Sequence, residues 1–135
     1  NTSMAPQPVS KVASGGELSR IMLAIKALIA RSTAMPTIVF DEIDVGVSGD
    51  VATRMGEIMK NMATRMQVIN ITHLPQVAAK GDHHFCVYKQ DGKGHTQTGI
   101  VRLTGEERVR EIAKMLSGAG LTPAALENAK VLLSE

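Results

Sequence analysis

Aromatic residues are nearly missing from this sequence, which has no tryptophan, one tyrosine and two phenylalanines in 135 residues. A core built almost without rings is filled by aliphatic and thioether side chains, so the eight methionines are packing material rather than a chemical signature. A single cysteine, Cys86, excludes an internal disulfide. There is no basic-then-apolar leader and no apolar run long enough to span a bilayer, so the chain reads as soluble and cytosolic, with no membrane partner. Net charge is also scarce. The formal value is +2, and the 15 Lys and Arg residues are scattered from Lys11 to Lys130 without a run, which removes any argument for nucleic-acid binding from charge alone. No G-x-x-x-x-G-K-[ST] segment occurs either: the Gly92-Lys93 step continues into Gly94 and has Val87 where the first glycine would stand. The chain has no phosphate-gripping loop of that kind.

An apolar fraction of 44% with 21% charged residues is ordinary globular composition, sufficient for one domain with a modest core. Residues 1–12 hold Pro6 and Pro8 without helical or alternating pattern, predicting an extended lead-in, and the abrupt start leads us to expect an excised fragment. From Glu17 to Ala30, the residues Leu18, Ile21, Met22, Ile25, Leu28 and Ile29 recur at helical spacing, before Met35-Pro36 and a strand over Thr37 to Phe40. Ser48 or Asp50 can cap a second helix with Val51, Met55, Ile58, Met59 and Met62 on one face, and Gln67 to Ile71 is a second buried strand. Helix alternating with short apolar strand predicts an α/β fold, a mostly parallel sheet flanked by helices. A short helical segment opens at Thr72-His73-Leu74-Pro75 and ends by Gly81. His84 to Gln90 and Thr96 to Leu103 then flank Asp91-Gly92-Lys93-Gly94, predicting a C-terminal antiparallel hairpin that closes the sheet. Thr104 to Glu107 has capping-box spacing, and Thr122-Pro123 starts a last helix through Leu133.

Three segments carry chemistry. In Ser14-Gly15-Gly16-Glu17 the serine hydroxyl can accept from the Glu17 N–H while the carboxylate reaches back, fixing a helix N-terminus that the two glycines leave bare. Such a terminus attracts phosphate, although the same four residues also make an ordinary capped helix. Asp41 and Glu42 emerge at the carboxyl end of a strand, where ligands of open parallel sheets gather. Asp41 can bind magnesium directly or through water, and Glu42 can polarise an attacking water; the bland alternative is a pair of solvated loop acids. His73 follows the next strand's carboxyl end.

In order and spacing these segments resemble the ABC-type ATPases: Ala13 to Glu17 their signature motif, Asp41-Glu42 the end of Walker B, Asp44 the D-loop and His73 the switch histidine. The longer strings Val12 to Arg20, Phe40 to Gly49 and Thr72 to Ala78 are similar to a bacterial DNA-repair branch of the SMC-like coiled-coil ATPases. That resemblance implies the C-terminal lobe of a P-loop ATPase head over residues 13–135, with the phosphate loop on the N-terminal half of the same head. ATP and Mg2+ are the implied cofactors, sandwiched between two heads of a homodimer. Ser14, Gly15, Gly16 and Glu17 would meet the partner's nucleotide in trans, and Asp44 would communicate across the dimer. In cis, Asp41 would support magnesium, Glu42 would orient or deprotonate water, and His73 would contact the γ-phosphate. The implied work is recombinational repair of DNA double-strand breaks, in the cytoplasm and on the nucleoid when DNA is bound by the full-length protein. This piece alone would be inactive. Ala13 for leucine and Glu17 for glutamine depart from the commonest signature and argue against a transporter. The alternatives are another SMC-like or RecF-like head, or a non-catalytic protein- or DNA-interaction module on the same fold.

His84 and Cys86 share one strand face but supply only two side chains. A four-residue turn would set His95 opposite Gln90, about 13 Å from Cys86, too far for a shared metal. Nothing nearby resembles an orienting group for a Cys86–His84 nucleophile pair.

Overall fold

A computed structural model describes residues 15–32, 34, 36–118 and 120–135; the predicted lead-in over 1–12, Ala13 and Ser14 lie outside the described residues. The chain divides into two compact units, with the boundary between Val77 and Ala78.

The first unit alternates helix and strand as its apolar periodicity requires: α1 (Gly15–Ser32), β1 (Thr37–Asp41), α2 (Gly49–Met62), β2 (Gln67–Ile71) and the short α3 (Pro75–Ala78), where the chain passes into the second unit. β1 and β2 are parallel, with Thr37 opposite Gln67 and Asp41 opposite Ile71. The period of two in β1 turns Ile38 and Phe40 into the core and Val39 and Asp41 outward. Phe40 is fully buried, and burying such a side chain contributes roughly 1.5–3 kcal/mol. Around it pack Leu23, Ala52, Met55, Met59 and Val77. The methionine stripe of α2 is therefore core, except that Ile58, expected on the same face, is exposed.

Helix α1 departs from its predicted face. Ile21, Met22, Ile25, Leu28 and Ile29 are exposed, and the helix meets the core through Leu23 and Ala27, roughly on its opposite side. Lys26 joins them, its Nζ 5.3 Å from the centre of the Phe40 ring, within cation–π range.

The second unit holds β3 (His84–Gly92), β4 (His95–Leu103), α4 (Glu106–Ser117) and α5 (Pro123–Ser134). The hairpin is a two-stranded sheet of its own and does not extend β1–β2. Its turn is tighter than predicted: Gly92 pairs with His95 and Gln90 with Gln97, because Gly94 at φ 80° lets a two-residue connection reverse the chain. The predicted capping box before α4 does not form. Gly105 is the N-cap, and the Glu107 N–H donates to the backbone oxygen of Thr104 at 3.2 Å. Thr122 does cap α5, accepting from the Ala125 N–H at 3.1 Å. Ile112 and Ala113 are fully buried with Ala129 in this unit's own core, which Ala79 and Ala125 complete.

Candidate functional site

Two loops leave the same edge of the parallel pair, because parallel strands present their carboxyl ends together. Asp41 is the last residue of β1, and the Glu42 N–H donates to the Ile71 oxygen at 2.9 Å, carrying the ladder one step past the strand. Glu42 has φ 52°, the one non-glycine residue with positive φ among the described residues. A left-handed glutamate costs on the order of 1 kcal/mol or more, so the surroundings hold the backbone there. The result turns its carboxylate toward the second loop, where His73 Nε2 stands 2.5 Å from Glu42 Oε1. Both side chains face solvent, His73 at 83% and Glu42 at 43% exposure.

Asp44, two residues beyond Glu42, behaves differently. At 3% exposure it is the one buried charged side chain among the described residues. Its Oδ2 accepts a hydrogen bond from the Thr72 hydroxyl, and Thr72 Oγ1 in turn accepts from the Leu74 N–H at 3.0 Å. The Val47 N–H donates to the Asp44 backbone oxygen at 3.1 Å, closing the tight loop that Gly46 at φ 79° permits. Thr72 is a member of this constellation that composition and motif did not single out. The signal for it is a β-branched hydroxyl two residues before a backbone N–H that lacks a helical partner.

Of the residues read from the sequence, Asp41, Glu42, Asp44 and His73 come together at this edge. Gly15 and Gly16 open α1 and Glu17 lies exposed in its first turn; Ser14 lies outside the described residues. Asp41 is exposed and offers hard carboxylate oxygens, the donor type that magnesium takes alongside water and substrate phosphates. No group of three or more His, Cys, Asp or Glu suited to a metal exists among the described residues, so an ion at Asp41 would draw its other ligands from nucleotide, water and residues elsewhere.

The second unit has its own polar cluster, which sequence reasoning missed. Arg108 Nη2 donates to the backbone oxygens of Ala78, Ala79 and Gly81, closing the turn that follows α3. Burial, together with the nearby Arg108 charge, lowers the pKa of His84 below its ordinary value against an opposing Glu111. Burial and Glu111 raise that of Cys86, keeping it a thiol that donates weakly to the Val87 oxygen at 3.8 Å. A protonated thiol is a poor nucleophile. Among the described residues no helix is long and apolar enough to cross a membrane.

No family model matches the chain. It is 46% identical over 133 residues to the DNA repair protein RecN of Haemophilus influenzae, covering 98% of this chain and 24% of that protein. To RecN of Deinococcus radiodurans it is 47% identical over 127 residues, 94% of this chain and 22% of that protein. The chain thus spans about a quarter of the length of the curated relatives it matches. Among solved structures, the Smc head domain with a coiled coil and joint from Pyrococcus yayanosii superposes with a TM-score of 0.67 at 27% identity, covering 77% of this chain and 19% of that one. An SMC ATPase described for ATP-driven dimerization and DNA-stimulated activation also gives 0.67, at 23% identity, covering 87% and 70%. The SMC head domain from Thermotoga maritima gives 0.58 at 27% identity, covering 73% and 36%. The fold is that of an SMC ATPase head.

Proposed function

Since the chain is by sequence a RecN-type segment, we propose that it is the C-terminal lobe of a divided, SMC-like ATPase head that acts in recombinational repair of DNA double-strand breaks. The observation that carries this reading is the edge of the parallel pair. Asp41, a left-handed Glu42 and His73 converge there from two adjacent strand ends, with Glu42 and His73 in contact. A binding module has no need to spend backbone strain on aiming a carboxylate at a histidine.

Phosphoryl transfer asks mainly for positioning and electrostatics. Bound Mg2+ would supply charge neutralisation of the phosphates. Asp41 would hold the ion, and Glu42 would accept a hydrogen bond from the lytic water and orient it. His73, exposed beside Glu42, would reach the γ-phosphate. Gly15 and Gly16, at the start of α1, with Ser14 and Glu17, would face nucleotide held by a second head. The loop of Asp44 would lie toward that partner.

Two bare apolar surfaces support a divided head. Parallel sheets are ordinarily covered on both faces, yet Val39, Ile69 and Ile71 are exposed on the β1–β2 face opposite Phe40. The stripe from Ile21 to Ile29 on α1 is exposed as well. The N-terminal half of the same head, carrying the phosphate loop, is the partner that such surfaces call for. DNA would be met by the full-length protein in the cytoplasm, on the nucleoid.

The test is Glu42→Gln in the full-length protein. Hydrolysis should fall on the order of 10²-fold or more, as for loss of a general base, while ATP-driven pairing of heads persists. Wild-type turnover in this variant would overturn the water-activating role of Glu42, and an unmodified protein that hydrolyses no ATP would leave the interaction-module alternative standing instead.

A further inference from the structure

We propose that Asp44 and Thr72 form a buried latch that positions His73 against Glu42 within one lobe, so that Asp44 acts in cis through the switch histidine. The inference rests on the ATPase reading and assigns a role to a hydroxyl outside the motifs. It begins from burial. A carboxylate at 3% exposure is costly unless its oxygens are bonded, and no cation pairs with Asp44 among the described residues. The hydroxyl of Thr72 supplies a bond to Oδ2.

A hydroxyl has one proton and two lone pairs, and here the direction is settled by its neighbours. The Leu74 N–H can only donate, so it takes a lone pair of Thr72 Oγ1 at 3.0 Å. The hydroxyl proton is then free for Asp44 Oδ2, which accepts it. The chain Leu74 N–H to Thr72 O–H to Asp44 therefore binds the residues on both sides of His73 to the loop that carries Glu42. His73 itself is 83% exposed and has little packing of its own to orient it. Its place beside Glu42 is inherited from these flanking bonds. Asp44 and Thr72 touch no reacting atom in this arrangement; they are positioning residues.

The experiment uses the full-length protein and reads steady-state ATP hydrolysis for Thr72→Val, Thr72→Ser and Asp44→Asn, with and without His73→Ala. Thr72→Val keeps the shape and removes the proton and acceptor together. It should lower kcat between about 10- and 100-fold with KM for ATP held within about 2-fold, since misplacement of a catalytic group costs rate rather than binding. Thr72→Ser keeps the hydroxyl and should stay within about 2-fold of wild type. In the His73→Ala background Thr72→Val should add little further loss, because the latch works through the ring that is already gone. An equal loss from Thr72→Val with and without His73 would overturn the latch, and so would an unchanged kcat while Glu42→Gln still abolishes hydrolysis. Should Thr72→Val fail to fold, hydrogen exchange of the Leu74 amide in the unmodified protein decides: protection supports the latch and free exchange overturns it. If the unmodified protein hydrolyses no ATP, the ATPase reading falls separately, and the Leu74 amide still decides whether the bond exists.

Discussion

In the unit that ends at Val77, the polar residues Asp41, Glu42, Thr72 and His73 gather on two loops at one sheet edge, with Asp44 buried among them, while large apolar residues of α1 and the β1–β2 face stay exposed. In the unit that begins at Ala78, α4 and α5 close a core of small residues around Ile112, and Arg108 spends its donors on backbone oxygens. Both units leave large apolar residues uncovered, the second at Phe85, Val87, Tyr88 and Ile100 of its hairpin; the first adds a polar site at a sheet edge and the second a clamp. The difference teaches where each unit's stability and chemistry must come from. A half-covered parallel pair depends on its few buried side chains and on whatever covers the rest.

The largest effect expected from that contrast is at Phe40. Among the described residues it is one of two large side chains with essentially no exposure, Ile112 being the other, one in each unit. Truncation to alanine should cost about 3–5 kcal/mol at Phe40 and about 2–5 kcal/mol at Ile112. Phe40→Ala also removes the ring under Lys26, loosening α1 from β1. Chemical denaturation followed by circular dichroism measures both. A loss at Phe40 below about 3 kcal/mol would break the comparison, because it would mean that β1 is held in its core by other contacts.

Much of this fold was legible because period and punctuation agree. β2 keeps its predicted bounds but not its predicted burial, with Ile69 and Ile71 exposed, while α2 keeps its methionine core and α5 its Thr122-Pro123 start. Three features were not legible, each for a physical reason. The apolar stripe of α1 has helical spacing, but periodicity names a face without saying what covers it. Thr104 to Glu107 has the spacing of a capping box, yet Gly105 takes φ 53° and becomes the N-cap itself. The hairpin register turned on whether Gly94 would adopt positive φ, which four turn-forming residues in a row leave open. At the site, the positions of Asp41, Glu42 and His73 at strand ends followed from the strands. The burial of Asp44 and its bond to Thr72 did not, since they depend on two loops 28 residues apart meeting in space.

A smaller effect sharpens the comparison at the helix starts. Ser48 stands at the N-cap of α2 but makes no side-chain cap bond, whereas Thr122 caps α5 through Ala125. Thr122→Ala should therefore cost about 1 kcal/mol, and Ser48→Ala only a few tenths. Equal losses in denaturation would show that Ser48 caps α2 in solution and that the two units do not differ in this respect.

The smallest effect lies with His84, where the second unit keeps a half-buried imidazole near Arg108 and Glu111. Burial and Arg108 lower its pKa in the folded chain from 6.5, the unfolded value. The sign follows from proton counting: between the lowered folded value and 6.5 the unfolded chain binds more protons, so stability rises with pH through that window. Above it His84 is neutral in both states and contributes no slope; below it the ring is charged in both states, and the penalty built up across the window stays constant. Because the ring is partly solvated, the penalty is a discounted one. His84→Gln leaves His73, His83 and His95 in place and removes this contribution alone. The difference in unfolding free energy between pH 8 and pH 5 should be smaller in that variant than in the unmodified chain, measured by urea denaturation at both pH values. A larger difference in His84→Gln would mean that Glu111 outweighs burial and that the second unit holds a charged histidine, which would erase the contrast between a unit built for chemistry and one built for packing.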